Sequence, residues 1–503
     1  MAGGVVGMRG LGWSAASAAV MVLGCVGAVY AADLDTMVTK APVAKAPPGP
    51  TTCTDIQAFF LTDCQLAWYG VRFYGTIDVG YGYQTNGAPW DRNFPAGNAY
   101  FISKNGRKAL WELSPNGLSQ SNVGIQIKEP LGPGWSFIGQ LETAFDPYSL
   151  DLGDGPRSLA NNRGVPLNQQ TANGDSSQAG QFYNSQGYVG LSSDTYGTLT
   201  VFRQRSLMAE AVGVYDPMAG SYAFSPLGFS GLTSGGGDTE NVRYSTAVKY
   251  RLNYGNYRLA ALAQFGGYDL NNGSKGAFQG QLGGDVHIGP GVLSLDAIGG
   301  YVKDAVSLSL AGAADIQSPL TATLSDNTNV MALARYTFDK LKLYAGYEWI
   351  QFAPPSDPIT VGGFNDLAGD FICAGCQIVN GTNINNLAFS ASNGFKDRIM
   401  QVVWAGARYS VTDSLDVAVA YYHYDQNSFA ASSANISSCA KSATSLSSCA
   451  GTMDTVSALI DWKFAPKWDT YVGTMFSQMN GGLDSGFLSR SNLATTAGVR
   501  FRW

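Results

Sequence analysis

Seven cysteines and two histidines are the residues of this chain best equipped for covalent or metal chemistry. Cys25 lies in an apolar run near the N-terminus, and the other six fall into near neighbours: Cys53 with Cys64, Cys373 with Cys376, and Cys439 with Cys449. An even number in an exported chain reads as disulfides, with local pairing the simplest of the roughly fifteen connectivities that six allow. The run CAGC from Cys373 to Cys376 has the spacing of a redox or metal pair, but neither a βαβ pattern nor a second ligand pair accompanies it. Nucleophilic catalysis wants a base within reach, and His287, in GGDVHIG, and His423, in AYYHY, are the only imidazoles. Neither sits in a GxSxG or comparable context. The glycine run GGGD at Gly235–Asp238 lacks the Lys-Ser/Thr and the strand-to-helix setting of a phosphate loop. The expectation is therefore a protein without a catalytic centre, cofactor or metal, whose chemistry lies in its charges.

The segments that must position those charges begin with a leader. Arg9 is followed by SAASAAVMVLGCVGAVYA, a short apolar run rich in small residues. It reads as a cleaved signal peptide over residues 1–31, with Val29 and Ala31 as the small residues before the cut. Residues 32–68 follow as a periplasmic N-terminal segment that includes the Pro-rich VTKAPVAKAPPGP, an extended linker. No later stretch offers about 20 consecutive apolar residues, so a membrane could be crossed only by strands. Aromatic residues and glycine are abundant while charged residues make up 14%, a composition that leans towards a membrane barrel. With 37 acidic against 31 basic residues, nothing rewards nucleic acid.

Residues 69–503 read as the barrel. In YGVRFYGTIDVGYGYQ, Val71, Phe73, Ile77, Val79, Tyr81 and Tyr83 share one parity, and Arg72, Thr76, Asp78 and Gln84 the other. This is a strand with one apolar and one wet face. Comparable segments follow at about 121–129, 134–145, 185–192, 197–204, 242–251, 256–268, 278–288, 291–302, 329–338, 341–350, 398–410, 413–425, 455–463, 467–479 and 493–503, predicting sixteen strands. Their connections alternate between tight turns (KEPLGPG, SSDTYG, LNYG, IGPG, FDK, VTD, APK) and long loops at roughly 85–120, 146–184, 205–241, 269–277, 303–328, 352–397, 426–454 and 480–492. A soluble sandwich has no reason to sort its connections by end. A 16-stranded antiparallel transmembrane β-barrel does, with short periplasmic turns and long external loops. In YSTAVKYRL, Lys249 and Arg251 share the wet parity, and aromatics gather at strand ends such as AYYHY, EWIQF and FAPKW, where interfacial girdles sit. His423 has the parity of Val417, Val419 and Tyr421 and is expected in that outer girdle.

The run GLSQSNVGIQIKEPLGPGWSFIGQLETAF, the hairpin SQGYVGLSSDTYGTLTVFRQRS, and the later DPM, NVRYSTAVKY and final strand resemble the general porins of Gram-negative outer membranes, in a form typical of alphaproteobacteria. The resemblance implies a homotrimer of water-filled channels, each passing small hydrophilic solutes and ions by passive diffusion through outer-membrane lipid. It also implies that the loop after the fifth strand, 206–241, folds back into the lumen. The family's wall arginines correspond to Arg203 and Arg243. Arg205 and Arg72 are weaker additions, the latter on lumen parity alone. The facing acids are expected at Glu210 and Asp216, with Asp238 and Glu240 as outsiders. Opposed charges of this kind set a transverse field that filters solutes; the competing expectation is that they are solvated or brace the loop.

Two other readings of a barrel are a solute-specific channel with a saturable site and a surface-adhesion barrel. The segment around TDIQAFFLTDC departs from the leaders of familiar porins. It is compatible with a periplasmic cap closed by Cys53 and Cys64, a contact to a neighbouring subunit, or an insert into the lumen. The chain's last residues, TTAGVRFRW, place Ala497, Val499, Phe501 and Trp503 on the lipid parity. This terminal strand is expected to pair with the first strand and, by the resemblance, to be read by the outer-membrane assembly machinery, although porins usually end in phenylalanine.

Overall fold

Strands with one apolar and one polar face leave a sheet with two unpaired edges, and only closure removes both. In the computed structural model the sheet closes. The structure describes residues 52–92, 108–154, 180–227, 242–265, 276–309, 321–353, 377–379, 382–384, 397–428, 450–481 and 489–503, with the single residues 169, 178 and 356. The leader (1–31), most of the Pro-rich segment, and Cys373, Cys376, Cys439 and Cys449 with their expected pairings lie outside the described residues, as do Asp238 and Glu240.

The strands are β1 Leu66–Trp68, β2 Val71–Gln84, β3 Leu110–Pro115, β4 Asn122–Gly132, β5 Trp135–Ala144, β6 Gln186–Ser193, β7 Gly197–Arg205, β8 Arg243–Tyr254, β9 Tyr257–Phe265 and β10 Gly276–Ile288. They continue with β11 Gly291–Ser309, β12 Thr321–Phe338, β13 Leu341–Ala353, the small pair β14 Gln377–Val379 and β15 Thr382–Ile384, then β16 Arg398–Thr412, β17 Leu415–Gln426, β18 Gly451–Ala465, β19 Trp468–Gly481 and β20 Ser491–Arg502. Helix α1 spans Ile56–Leu61 and α2 spans Leu207–Tyr215.

All but β14 and β15 join one antiparallel sheet of 18 strands. Two of them extend others. Along one side of β2, Val71–Thr76 pairs with β4 and Val79–Gln84 with β3, so β3 and β4 form one stave interrupted at 116–121. Along its other side, β2 pairs with β20 from Thr76 to Gln84 and with β1 from Val71 to Phe73, so β1 continues the stave of β20. Eighteen elements thus make sixteen staves, the expected architecture, closed by β2 against β20.

The departures are local. The loop expected over 85–120 contains β3, and the loop over 303–328 is shortened by β11 running to Ser309 and β12 starting at Thr321. Period-two alternation stops where a hairpin leaves the bilayer, because both faces then meet water. The pairing of β11 with β12 nonetheless continues there.

The parity reading holds on the wall. Phe73, Ile77, Tyr81, Leu199, Tyr347, Val419 and Val456 are exposed outward, while Tyr74, Asp78, Glu142 and Lys249 are buried inward. Unlike a wet channel throughout, the lumen carries an apolar wall of Met331, Leu333, Ile350, Met400, Trp404 and Met475, clustered with residues of the loop after β7.

Candidate functional site

The loop after β7 enters the barrel as a helix. Ser206 caps α2, its hydroxyl accepting from Ala209 N at 3.0 Å. The Leu, Met and Ala content of LMAEAVGVY favours helix, and Pro217 stops it by disfavouring further α backbone just before it. Leu207, Met208, Ala211, Val212 and Tyr215 are buried against β9, β10, β12 and β13.

Wall residues take up the helix's orphan backbone groups. Leu207 N donates to Gln279 Oε1 at 2.8 Å. At the other end, Trp404 Nε1 donates to Tyr215 O at 3.0 Å and Arg335 Nη1 to Val214 O at 3.3 Å, a cation at the negative pole of the helix. Beyond α2, Asp216 accepts from Tyr422 Oη at 2.5 Å, Gly220 N at 2.7 Å and Met218 N at 3.2 Å. Ala223 N donates to Gly117 O at 2.9 Å, and Tyr222 Oη to Gln120 Oε1 at 3.2 Å. Burial pushes the Tyr222 phenol up to about 12. The stave break at 116–121 is therefore an inward projection that meets the loop, held in turn by Asp78, which accepts from Leu118 N and Ser119 N.

Close approach needs missing side chains. A Cβ on Gly406 of β16 would lie 2.6 Å from Pro217 Cγ, and one on Gly473 of β19 would lie 2.6 Å from Phe224 Cε1. Phe224 packs edge-on against Tyr471, ring centroids 6.0 Å apart. The loop thus spans the lumen from β7 to β19.

One cluster of charges lies where β7 and β8 face α2. Glu210, in the first turn of the helix, lies 2.8 Å from Lys249 Nζ and also contacts Arg251 Nη2. Lys249 additionally donates to Arg205 O at 3.1 Å. Arg205 stands beside Arg243 across the β7–β8 pair and makes no ion pair with a described carboxylate. Arg243 is buried and donates from Nη2 to Gln120 Oε1 at 3.2 Å and to Ser185 Oγ at 3.3 Å. Ser185 in turn donates to Glu142, which also accepts from Tyr74 Oη at 2.9 Å. Farther round the wall, Arg258 pairs with Asp285 at 2.8 Å and Asp296 at 3.1 Å, and the hydroxyl of Tyr215 donates to Asp296.

A family profile described as Gram-negative porin matches residues 16–482. The chain belongs to the Gram-negative porin family. Its place is the outer membrane. The porin is 27% identical over 187 residues to an outer membrane porin protein of Bordetella pertussis, covering 36% of this chain; the chain spans about two-fifths, 38%, of that curated relative's length. Among solved structures, the anion-selective porin from Comamonas acidovorans aligns with a TM-score of 0.52 at 15% identity, covering 86% of this chain and 99% of that one. A loop-deletion form of the outer membrane protein OmpT of Vibrio cholerae aligns with a TM-score of 0.50 at 14% identity, covering 86% and 99%. At such identities the likeness is one of fold. Family and fold together are those of a channel.

Against this porin's geometry the expected residues separate. Glu210, Arg205 and Arg243 gather around the helix. Arg203 is turned to the end of β6, donating to Asn184 O at 2.9 and 2.6 Å and to Ser245 Oγ at 2.8 Å. Arg72, the second residue of β2 and opposite Gln126, lies at the turn end of the barrel, away from the infolded loop. Asp216 departs from an eyelet role. It is 1% exposed, and burial holds its carboxyl above the usual range, so it fastens the loop to Tyr422 instead of meeting water. Lys249 and Arg251 join the set; their lumen parity was visible in YSTAVKYRL, but nothing in the sequence pointed α2 at them. His423 lies on the outward parity, its Nδ1 2.8 Å from Asp454 Oδ1, which also accepts from Tyr421 Oη at 2.6 Å.

Proposed function

We propose that this porin is a passive diffusion channel for small hydrophilic solutes and ions, with an anion-favouring constriction formed by α2 and the β7–β8 wall. The observation that carries the reading is one carboxylate, Glu210, set against Lys249 and Arg251, with Arg205 and Arg243 directly beside them. Arg205, Arg251 and Glu210 supply the solute-facing charges. Arg243 and Lys249, buried behind, add field that salt screens poorly. Arg203 and Arg72 serve as secondary bases away from the narrowest point.

The polar constriction supports hydrophilic permeants, since an apolar solute must displace the water that hydrates its charged groups without replacing the lost hydrogen bonds. Conductance linear in solute concentration supports general diffusion. Saturation replaces it with a solute-specific channel, and absence of conductance with an adhesion barrel.

The unit is a homotrimer in outer-membrane lipid. Residues 1–31 act as the cleaved export leader and residues 32–65 as the periplasmic segment, with Leu66–Trp68 belonging to the barrel sheet as β1. The outward residues Val499 and Phe501 of β20, with Trp503 directly after it, serve the assembly machinery. Reversal potentials across bilayers holding the purified protein in a salt gradient test the selectivity. An anion-signed potential is expected, and a cation-signed one rejects the assignment of the basic wall.

A further inference from the structure

Phe501 shares the outward parity of Leu493 and Val499 on β20. Those two are each 37% exposed, whereas Phe501 is 7% exposed. What covers it is the segment before the barrel. Phe59 and Phe60 of α1 place their rings 5.6 and 5.4 Å from Phe501, with Trp468 at 4.4 Å and Trp503 at 5.2 Å completing the cluster. The last carbonyls of α1 are taken up by the β18–β19 turn. Lys467 Nζ donates to Phe59 O at 2.8 Å and lies 4.5 Å from the centre of the Phe59 ring, and Trp468 Nε1 donates to Phe60 O at 3.0 Å.

This cluster sits at the end of the closing seam. The β2–β20 pairing runs out at Thr76 opposite Arg502. Gly75 and Trp503 then exchange backbone bonds at 3.3 and 3.1 Å. A Cβ on Gly75 would meet the indole of Trp503, so that ring lies against the seam. Below it β1 takes over the pairing with β2. A six-residue helix has no independent stability, and α1 buries none of its own residues. Its position is fixed by the Cys53–Cys64 disulfide, by Cys53 N donating to Gln65 O at 3.0 Å, and by Asp55 Oδ1 accepting from Ala58 N at 2.8 Å. Ile56, one turn before Phe59 and Phe60 on the same face of α1, and Leu61, next to Phe60, are left uncovered, 76% and 58% exposed. Phe60, between them, packs on Trp468, which continues through Phe464 to Trp462 in the outward aromatics of the lipid belt.

We propose that the segment from Cys53 to Cys64 is a disulfide-held clasp on the barrel's closing seam, seating α1 over the aromatic end of β20 and laying Ile56 and Leu61 into the periplasmic leaflet. The seam joins the strands most distant in sequence, so its closure carries the largest loop entropy of any pairing in the barrel. A clasp at its end slows its opening. Lipid is the occupant over Ile56 and Leu61 because Phe60 beside them continues, through Trp468, the surface that lipid already covers.

The test is the rate of heat unfolding of the mature protein in phosphatidylethanolamine–phosphatidylglycerol vesicles, followed by the gel-mobility shift between folded and unfolded barrel. A background with serine at Cys373, Cys376, Cys439 and Cys449 isolates the clasp. C53S/C64S and, with the disulfide intact, F59A/F60A are each expected to unfold about tenfold faster. Dithiothreitol applied to folded protein gives two electrons and two protons to Cys53 and Cys64, becoming a cyclic disulfide itself, and produces the same acceleration without relying on variant assembly. I56D/L61D accelerates unfolding in vesicles as well. Wild-type rates for the reduced protein and for F59A/F60A overturn the clasp, and a wild-type rate for I56D/L61D overturns its place in the leaflet.

Discussion

Glu210, in the first turn of the infolded helix, lies 2.8 Å from the ammonium of Lys249 on the barrel wall. That one contact joins the infolded helix to the barrel wall and cancels part of the wall's positive charge. Glu210→Gln keeps the shape and removes the charge, so anion preference in reversal-potential measurements should rise about twofold or more. An unchanged preference would show that this carboxylate is not felt by the permeating ion.

The opposite change should come from the wall. Replacing Arg205 and Arg251 by glutamine removes the two cations nearest the solute path and should shift selectivity towards cations by about threefold, and more strongly at low salt than at high salt. Adding Arg243→Gln should extend the shift while also loosening Gln120. A selectivity that ignores all three substitutions places the filter elsewhere.

Asp216 gives a pH dependence whose sign is fixed. Burial raises its carboxyl above the usual range, so the seated loop favours the neutral acid. The stability this contributes is complete below about 4, where the acid is neutral even when the loop is released, and is lost as pH rises through the higher folded value. Open-channel current noise from loop motion should therefore grow as pH is raised, and Asp216→Asn should make it flat. Noise that falls with rising pH, or that keeps its pH dependence in the variant, contradicts the assignment.

Gly473→Ala puts a methyl group 2.6 Å from the Phe224 ring. Overpacking of this kind costs about 1–3 kcal/mol. The same Cβ would lie 2.6 Å from Ala458 O of β18, so the wall must give as well as the loop. The expected readout is an altered single-channel conductance of those barrels that fold. Wild-type conductance would mean that Phe224 is not seated on this wall.

Much of this architecture was legible because water and lipid impose period two. Lys249 between Val248 and Tyr250 needs no tertiary information to be assigned to the lumen. The helix at Leu207–Tyr215, the stave break at 116–121 and the burial of Asp216 were hidden for a common reason: each depends on what stands opposite in the lumen. Gly406 and Gly473 were the available trace, an ambiguous one because a Cβ at either would also meet the neighbouring strand's backbone, Val419 O and Ala458 O. Propensity also says nothing of Phe59 against Phe501, a contact between residues at opposite ends of the barrel's sequence.

The outward aromatic end of β20 makes a prediction for assembly. A polar tail added after Trp503 must pass the cluster of Phe59, Phe60 and Trp468. It should reduce the yield of folded barrel more than the same tail inserted in an external loop, measured by heat-modifiable mobility of membrane fractions. Equal yields would contradict a role for this strand end in assembly.

The central claim is an open, water-filled channel narrowed by a charged loop, and single-channel recording of the purified protein in planar bilayers tests it most directly. The account predicts stepwise conductance, grouped in threes, that rises linearly with salt concentration and carries more anion than cation. The absence of any conductance step would contradict it.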